Sequence, residues 1–201
     1  DRRAGEFFDR FYNSVQRMFV DDADALQNGG VSRDGLPPAQ DEHIPDAQFV
    51  RGDHFFFAVA QDAAVLERAR APIVLTPHDG EFARLAGPDK TGRAEAASDF
   101  AVRHGCTVVR KGPETVCAFP DGDAAVLRVG NPGMAKGGSG DVLAGMLGAL
   151  LCQMPARDAV QTAVWLHGWA GDLCAGRMGE YAMNPTDVIA ALPEVTKPII
   201  R

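Results

Sequence analysis

The spacing of apolar residues changes several times along the chain. Over residues 6–19, Phe7, Phe8, Phe11, Val15 and Met18 fall near helical intervals, which predicts a helix. Phe19 and Val20 would begin a short strand that ends in Asp21, Asp22, Ala23 and Asp24. Residues 28–54 show no period and carry Asn28-Gly29-Gly30, Pro37-Pro38 and many acids, so they read as a loop or insertion. A structureless stretch of that length inside a compact domain is unusual.

From residue 57 the pattern becomes regular. Residues 58–70 fit a helix, and Pro72-Ile73-Val74-Leu75-Thr76 fits a strand covered on both faces, stopped by Pro77. A helix is expected over 81–85, closed by Gly87-Pro88, and another over 94–104 with Gly105 as its C-terminal cap. Thr107-Val108-Val109-Arg110 reads as a strand. Residues 115–119 and 124–129 flank Pro120-Asp121-Gly122-Asp123, a hairpin signal. Helices follow over 138–153, 156–178 and 187–192. This alternation predicts an α/β domain. The chain divides into an atypical segment over 1–56 and a well-patterned part over 57–201.

Length and charge narrow the function. The 201 residues suit one domain or two small ones, and 46% of them are hydrophobic, enough for a core. A net charge of -7 argues against a general affinity for nucleic acid, which requires clustered Lys and Arg. The only lysines are Lys90, Lys111, Lys136 and Lys197. The longest apolar stretch, 142–152, is too short for a bilayer, so no membrane partner is expected. Asp1-Arg2-Arg3-Ala4-Gly5 has no apolar signal-peptide region. It also has no initiator Met, so the chain reads as processed, cut or incomplete. Cys106, Cys117, Cys152 and Cys174 are widely spaced without a C-x-x-C pair. They read as free thiols in a reducing cytoplasm rather than a zinc site or disulfide framework.

The densest chemical signal is the turn Gly130-Asn131-Pro132-Gly133-Met134-Ala135-Lys136-Gly137-Gly138-Ser139-Gly140-Asp141. Its glycines permit positive φ and close approach to a ligand, and a helix follows at once. The unpaired N–H groups at a helix start, with the helix dipole, suit a phosphate. No Gly-Lys-Ser/Thr closes the turn, so it is not a Walker A loop. Leu143 stands where a dinucleotide fingerprint needs a third glycine. Asp141 has two readings: a first-turn residue favoured by the dipole, with it or Ser139 as cap, or a base that takes a proton from a hydroxyl beside the bound phosphoryl group.

The segment Asn131-Pro132-Gly133-Met134-Ala135-Lys136-Gly137-Gly138-Ser139-Gly140-Asp141-Val142-Leu143-Ala144-Gly145 closely resembles the signature of the ADP/ATP-dependent NAD(P)H-hydrate dehydratases, a branch of the ribokinase-like superfamily. Three further segments lie in the order that family shows. Thr76-Pro77-His78-Asp79-Gly80-Glu81 looks like its Thr-Pro-His-x-Gly-Glu, and Lys111-Gly112-Pro113-Glu114-Thr115 like its Lys-Gly-x-x-Thr. His167-Gly168-Trp169-Ala170-Gly171-Asp172 resembles the helix after the glycine turn. Asp22-Ala23-Asp24-Ala25-Leu26 looks like a family segment near the substrate. The resemblance covers 71–193 well.

The resemblance implies a three-layer α/β/α fold with a mostly parallel central sheet. It implies repair of hydrated NADH or NADPH: ADP or ATP phosphorylates the added hydroxyl, and loss of phosphate restores the ring. Asp141 would deprotonate that hydroxyl or lie against it, and His78 would contact the hydrated nicotinamide. Gly137, Gly138, Ser139 and Gly140 would hold the phosphate being transferred. Lys111, Gly112, Pro113, Glu114, Thr115, Asn131, Gly133 and Lys136 would border the adenine nucleotide. Glu81 would help organise Mg²⁺ through water, as an Asn-x-x-Glu motif does in related sugar kinases, or would only favour a helix start. A homo-oligomer such as a tetramer is implied too.

Several of these residues have plain structural readings. His78 can be a turn histidine and Lys111 a solubilising charge. His167 reads as a core histidine, and Trp165 and Trp169 as a packing pair. Two departures from the family stand out. The gap from Leu26 to Thr76 is much longer than the family's single helix, and nothing precedes Asp1 that would supply the family's first strands and Gly-Pro-Gly segment. Two alternatives to the dehydratase follow: a small-molecule kinase of the same superfamily acting on a hydroxymethyl or hydroxyethyl heterocycle, or a truncated, inactive nucleotide-binding chain.

Overall fold

The computed structural model describes Val59, residues 63–68 and residues 72–197. The helix expected over 6–19, the strand at Phe19, the aperiodic 28–54 stretch and the acidic 22–26 segment lie outside the described residues. Backbone contacts divide the chain into Pro45–Leu192 and a second unit made of Asp1–Ile44 and Pro193–Arg201. The first unit carries every element below except the end of the last helix.

A 3-10 helix at Ala63–Arg68 falls within the helix expected over 58–70. It is followed by β1 (Val74–Leu75), α1 (Asp79–Ala86), α2 (Arg93–His104), β2 (Thr107–Arg110), β3 (Thr115–Ala118) and β4 (Ala124–Leu127). A short 3-10 turn at Pro132–Met134 leads to α3 (Ser139–Leu151), α4 (Ala156–Met178) and α5 (Pro185–Thr196).

Most boundaries follow local chemistry. Gly105 closes α2 with φ +60, and its N–H donates to the Ala101 carbonyl. The hairpin turn is held by Phe119 N–H on the Asp123 carbonyl at 2.9 Å. Two helices are longer than their spacing predicts. α1 begins at Asp79 because His78 caps it, and histidine is not among the usual N-cap residues. α5 begins at Pro185 because the Asn184 N–H donates to the Asp187 carboxylate at 2.7 Å, and proline suits the first helical position.

The four strands lie in the order β1-β2-β3-β4. β1 and β2 are parallel, with Val74 opposite Thr107; β2–β3 and β3–β4 are antiparallel. Among the described residues the sheet is mixed, with one parallel pair, β1–β2, and two antiparallel pairs, β2–β3 and the hairpin β3–β4. Every residue of β2 is buried, as a strand covered on both faces requires. Alternate residues separate the faces. Val108, Val116 and Ala118 join Leu75, Phe82, Leu85, Ala97, Phe100 and Ala101 in one apolar cluster under α1 and α2. Val109 and Cys117, one step out of phase, are fully buried outside that cluster, and α4 packs against β3 and β4. Helices α3 and α4 pack on each other. Among the described residues no helix is long and apolar enough to cross a membrane.

Candidate functional site

The parallel strands β1 and β2 end side by side, and the predicted residues begin where they end. The Lys111 N–H donates to the Pro77 carbonyl at 2.8 Å, and a parallel bridge pairs His78 with Lys111. Ligands in open α/β sheets collect at this carboxyl end. His78 caps α1 reciprocally. Its Nδ1 accepts from the Glu81 N–H at 3.1 Å, and its own N–H donates to Glu81 Oε2 at 2.6 Å. The His78 side chain is 53% exposed and that of Glu81 only 5%. The buried carboxylate lies 3.7 Å from the Lys111 ammonium. That ammonium in turn lies 3.2 Å from where a Cβ on Gly140 would stand. Three motifs far apart in sequence thus meet at one point: the strand-end histidine segment, Lys111 and the start of α3.

Two arginines and two aspartates hold this corner, and the sequence reading missed them. Arg110, nearly buried, donates to both oxygens of Asp89 and, through Nε, to Asp79 Oδ1 at 2.8 Å. Its guanidinium stacks over the Phe82 ring, 4.4 Å from the centroid. Arg93 also donates to Asp79, and to the carbonyls of Lys111 and Glu114. Burial raises the Asp79 pKa, but the hydrogen bonds and charges of Arg110 and Arg93 outweigh it, so the net shift is downward. For Arg110, burial lowers the pKa and the two carboxylates more than restore it. The available signal was Arg110 itself, a charge ending an otherwise apolar buried strand.

Arg93 shapes the 111–115 loop. A Cβ on Gly112 would meet its Nη2 at 2.4 Å, so only a glycine lets the guanidinium lie against this backbone. Thr115 Oγ1 donates back to the Gly112 carbonyl, and Glu114 pairs with Arg128 at 2.7 Å. Gly112, Pro113 and Glu114 are exposed.

The glycine turn is built against α4. Asn131 Oδ1 accepts the Gly133 N–H at 3.0 Å and starts the 3-10 turn. Asp172 accepts both the Gly130 N–H at 2.9 Å and Asn131 Nδ2 at 3.0 Å. A Cβ on Gly168 would stand 2.6 Å from Val129, and one on Gly133 would stand 2.6 Å from the Glu180 carbonyl oxygen. Lys136 donates to the carbonyls of Glu180, Tyr181 and Met183 at 3.2, 2.8 and 2.5 Å. Its ammonium therefore ties the turn to the segment before α5.

The turn delivers the start of α3. Gly138, at φ +96, is its N-cap, with no side-chain cap. The N–H groups of Ser139, Asp141 and Val142 bond back to the Lys136 and Gly138 carbonyls. Among the described residues, those of Gly137, Gly138 and Gly140 have no hydrogen-bond partner. Donors of this kind at a helix N-terminus suit an anion. Asp141 stands exposed in the first turn of α3, and Ser139 is buried. His167 is buried against this turn. Burial pushes its pKa down to about 4, against a hydrogen bond to the Ser139 backbone that raises it and with the Lys111 charge adding to the fall. Trp165 and Trp169 pack ring on ring at 4.7 Å between centroids.

Among the described residues no group of three or more His, Cys, Asp or Glu could hold a metal ion alone. Mg²⁺ does not need one, since it keeps several waters and binds through one or two carboxylates plus phosphate. Every polar contact of the Glu81 side chain among the described residues falls on Oε2. Oε1 leaves a donor set of one carboxylate oxygen, which fits that mode.

The NAD(P)H-hydrate dehydratase family model matches residues 45–194. The chain is 37% identical over 191 residues to a bifunctional NAD(P)H-hydrate repair enzyme of Moorella thermoacetica, covering 88% of this chain and 35% of that protein. It therefore spans about a third of the length of that relative. The crystal structure of the ADP/ATP-dependent NAD(P)H-hydrate dehydratase from Bacillus subtilis, co-crystallized with ATP and Mg²⁺, superposes with a TM-score of 0.61. Identity there is 38%, over 64% of this chain and 48% of that one. A ribokinase-like superfamily protein from Enterococcus faecalis gives a TM-score of 0.62 at 30% identity, over 72% of this chain and 50% of that one.

Proposed function

The chain belongs to the NAD(P)H-hydrate dehydratase family, and from that membership we propose that it returns hydrated NADH or NADPH to the reduced cofactor at the expense of ADP or ATP. The observation that carries this reading is the convergence at the strand ends. The Lys111 ammonium lies 3.7 Å from the buried Glu81 carboxylate and 3.2 Å from where a Cβ on Gly140 would stand, next to the unpartnered N–H groups at the start of α3.

The residues divide the work as follows. N–H groups of Gly137, Gly138 and Gly140 bind the terminal phosphoryl group, and Lys111 offsets its charge. The 111–115 loop and the Asn131–Gly133 turn border the nucleotide. His78, exposed at the end of β1, contacts the hydrated nicotinamide. Asp141 takes the proton of the added hydroxyl as that oxygen bonds to phosphorus and the nucleotide's bridging P–O bond breaks. Cleavage of the ring C–O bond releases the phosphate, and loss of a proton from the neighbouring ring carbon to water restores the double bond. Bound Mg²⁺ would spread the phosphate charge, held by the nucleotide, water and Glu81 Oε1. Residues 57–201 form the nucleotide-binding part. Four free thiols fit a reducing cytoplasm, and the family pattern fits a homo-oligomer.

The test is recovery of the near-ultraviolet absorbance of reduced nicotinamide from hydrated NADH, with ADP or ATP and Mg²⁺. Asp141→Asn should lower the rate by about 10²–10⁴-fold while ADP still binds. Recovery without nucleotide, or build-up of a stable phosphorylated product, would overturn the reading.

A further inference from the structure

Arg93 sits where local chemistry disfavours it. It is the first residue of α2, where a cation opposes the helix dipole, and no side chain caps that helix start. Its Nε is buried with no hydrogen-bond partner among the described residues, although buried polar atoms are nearly always satisfied. A Cβ on Gly112 would collide with its Nη2, so the guanidinium fits only because residue 112 is a glycine. What this placement gains is a bridge. Nη1 pairs with Asp79, the first residue of α1 and the neighbour of His78. Nη2 donates to the carbonyls of Lys111 and Glu114, at 3.4 and 3.2 Å. One guanidinium thus ties the start of α1 to both sides of the loop proposed to border the nucleotide.

Lys111 is also held at the strand end, by its N–H on the Pro77 carbonyl. Beyond it the loop has weaker ties. Gly112, Pro113 and Glu114 are exposed, so packing does little to fix their backbone. Thr115 on the Gly112 carbonyl is a bond within the loop, and the Glu114–Arg128 pair is exposed on both sides, where ion pairs contribute little. Asp79, by contrast, keeps a second arginine, since Arg110 donates to its Oδ1 at 2.8 Å. We propose that Arg93 is a positioning residue: by gripping the Lys111 and Glu114 carbonyls together it sets the course of the 111–115 backbone, and so the surface that this loop offers the adenine nucleotide. The planar fork of a guanidinium suits this task; a lysine ammonium is a point charge without it. The proposal rests on the nucleotide-bordering role given to this loop above.

The experiment compares Arg93→Lys, Arg93→Met, Gly112→Ala and the double variant Arg93→Met with Gly112→Ala, all in the full chain. It measures ADP affinity by calorimetry, and kcat and KM for nucleotide and hydrated NADH separately. Arg93→Lys keeps a positive charge beside Asp79 and loses the fork. Gly112→Ala keeps the arginine and displaces it, since the three nearest neighbours of the new Cβ are all atoms of the Arg93 guanidinium. Each single variant should weaken ADP binding and raise the nucleotide KM by about 10-fold, the loss expected for about one net hydrogen bond. The KM for hydrated NADH should hardly move, because Arg110 still holds Asp79. Alanine at 112 should cost nothing further once residue 93 is methionine. Wild-type ADP affinity in Arg93→Lys overturns the proposal, as does a double variant in which the two losses add, or an equal rise in both KM values. Should Arg93→Met fail to fold, wild-type affinity in either Arg93→Lys or Gly112→Ala overturns it. A wild-type chain that binds ADP but never turns over hydrated NADH defeats the dehydratase reading alone, and the affinities still decide the role of Arg93. A wild-type chain that binds no nucleotide defeats both.

Discussion

The Lys111 ammonium stands 3.7 Å from the Glu81 carboxylate, with 27% of the lysine side chain and 5% of the glutamate exposed. The glutamate is thus the buried partner, and the lysine is the charge that offsets its burial. Removing one member of such a pair leaves the other uncompensated, which is the costly direction. Lys111→Met should lower stability by roughly 1–3 kcal/mol, and adding Glu81→Gln should recover part of that loss. Denaturant melts of both single variants and the double variant check this. Additive losses would mean the two groups do not interact.

Glycines around the turn should respond in opposite directions to the same substitution. A Cβ on Gly168 would lie 2.6 Å from Val129 Cγ1 and 2.9 Å from the Val129 backbone carbon, so Gly168→Ala forces helix and turn apart. The expected cost is about 1–3 kcal/mol. Gly148, inside α3, has nothing within 4 Å of a new Cβ. Gly148→Ala should stabilise by about 0.5–1 kcal/mol through helix propensity. Thermal melts of the two variants should move to opposite sides of the wild type.

The buried His167 sets an acid limit on stability. Burial first, and the Lys111 charge with it, lower its pKa from 6.5 to about 4 against the Ser139 hydrogen bond. The unfolded chain therefore takes up this proton at a higher pH than the folded one. The stability that comes from keeping the ring neutral is complete above pH 6.5 and drains away as pH falls toward about 4. The full loss is about 3 kcal/mol. The Asp79 carboxylate, held low by Arg110 and Arg93 despite burial, acts in a separate window below its ordinary value of 3.8. Between pH 6.5 and 4 the wild type should lose Tm more steeply than His167→Gln. Parallel curves would refute the assignment.

Thiol reactivity should separate the four cysteines. Cys106, Cys117 and Cys174 are buried and Cys152 is exposed, and none is bonded to another. Burial pushes the Cys106 and Cys117 thiols up to about 12, so little thiolate forms at neutral pH. A thiol reagent should modify Cys152 quickly in the native protein and all four after unfolding. Rapid native labelling of Cys106 or Cys117 would contradict the packing of β2 and β3.

Much of this protein is decided by neighbours along the chain. The strand Thr107–Arg110, the hairpin at Pro120–Asp123, the Gly105 cap and helix Ala156–Met178 depend on apolar period and turn chemistry within a few residues. The glycine turn, its helix and Asp141 are legible for the same reason. Local rules failed where a side chain served an unusual partner: His78 lengthened α1 by capping it, and Asn184 with Asp187 lengthened α5. What only the tertiary structure decided is which motifs meet. No spacing along the chain reveals that Lys111 joins Glu81 to Gly140, or that Arg110 and Arg93 clamp Asp79. Nor does it reveal that Lys136 is tied to three carbonyls, or that His167 lies on Ser139. Helix and turn formation are short-range steric and hydrogen-bonding events. The candidate site is instead a contact among residues brought together by the parallel strand pair and by the packing of α4 on the turn, and such contacts leave no period in the sequence.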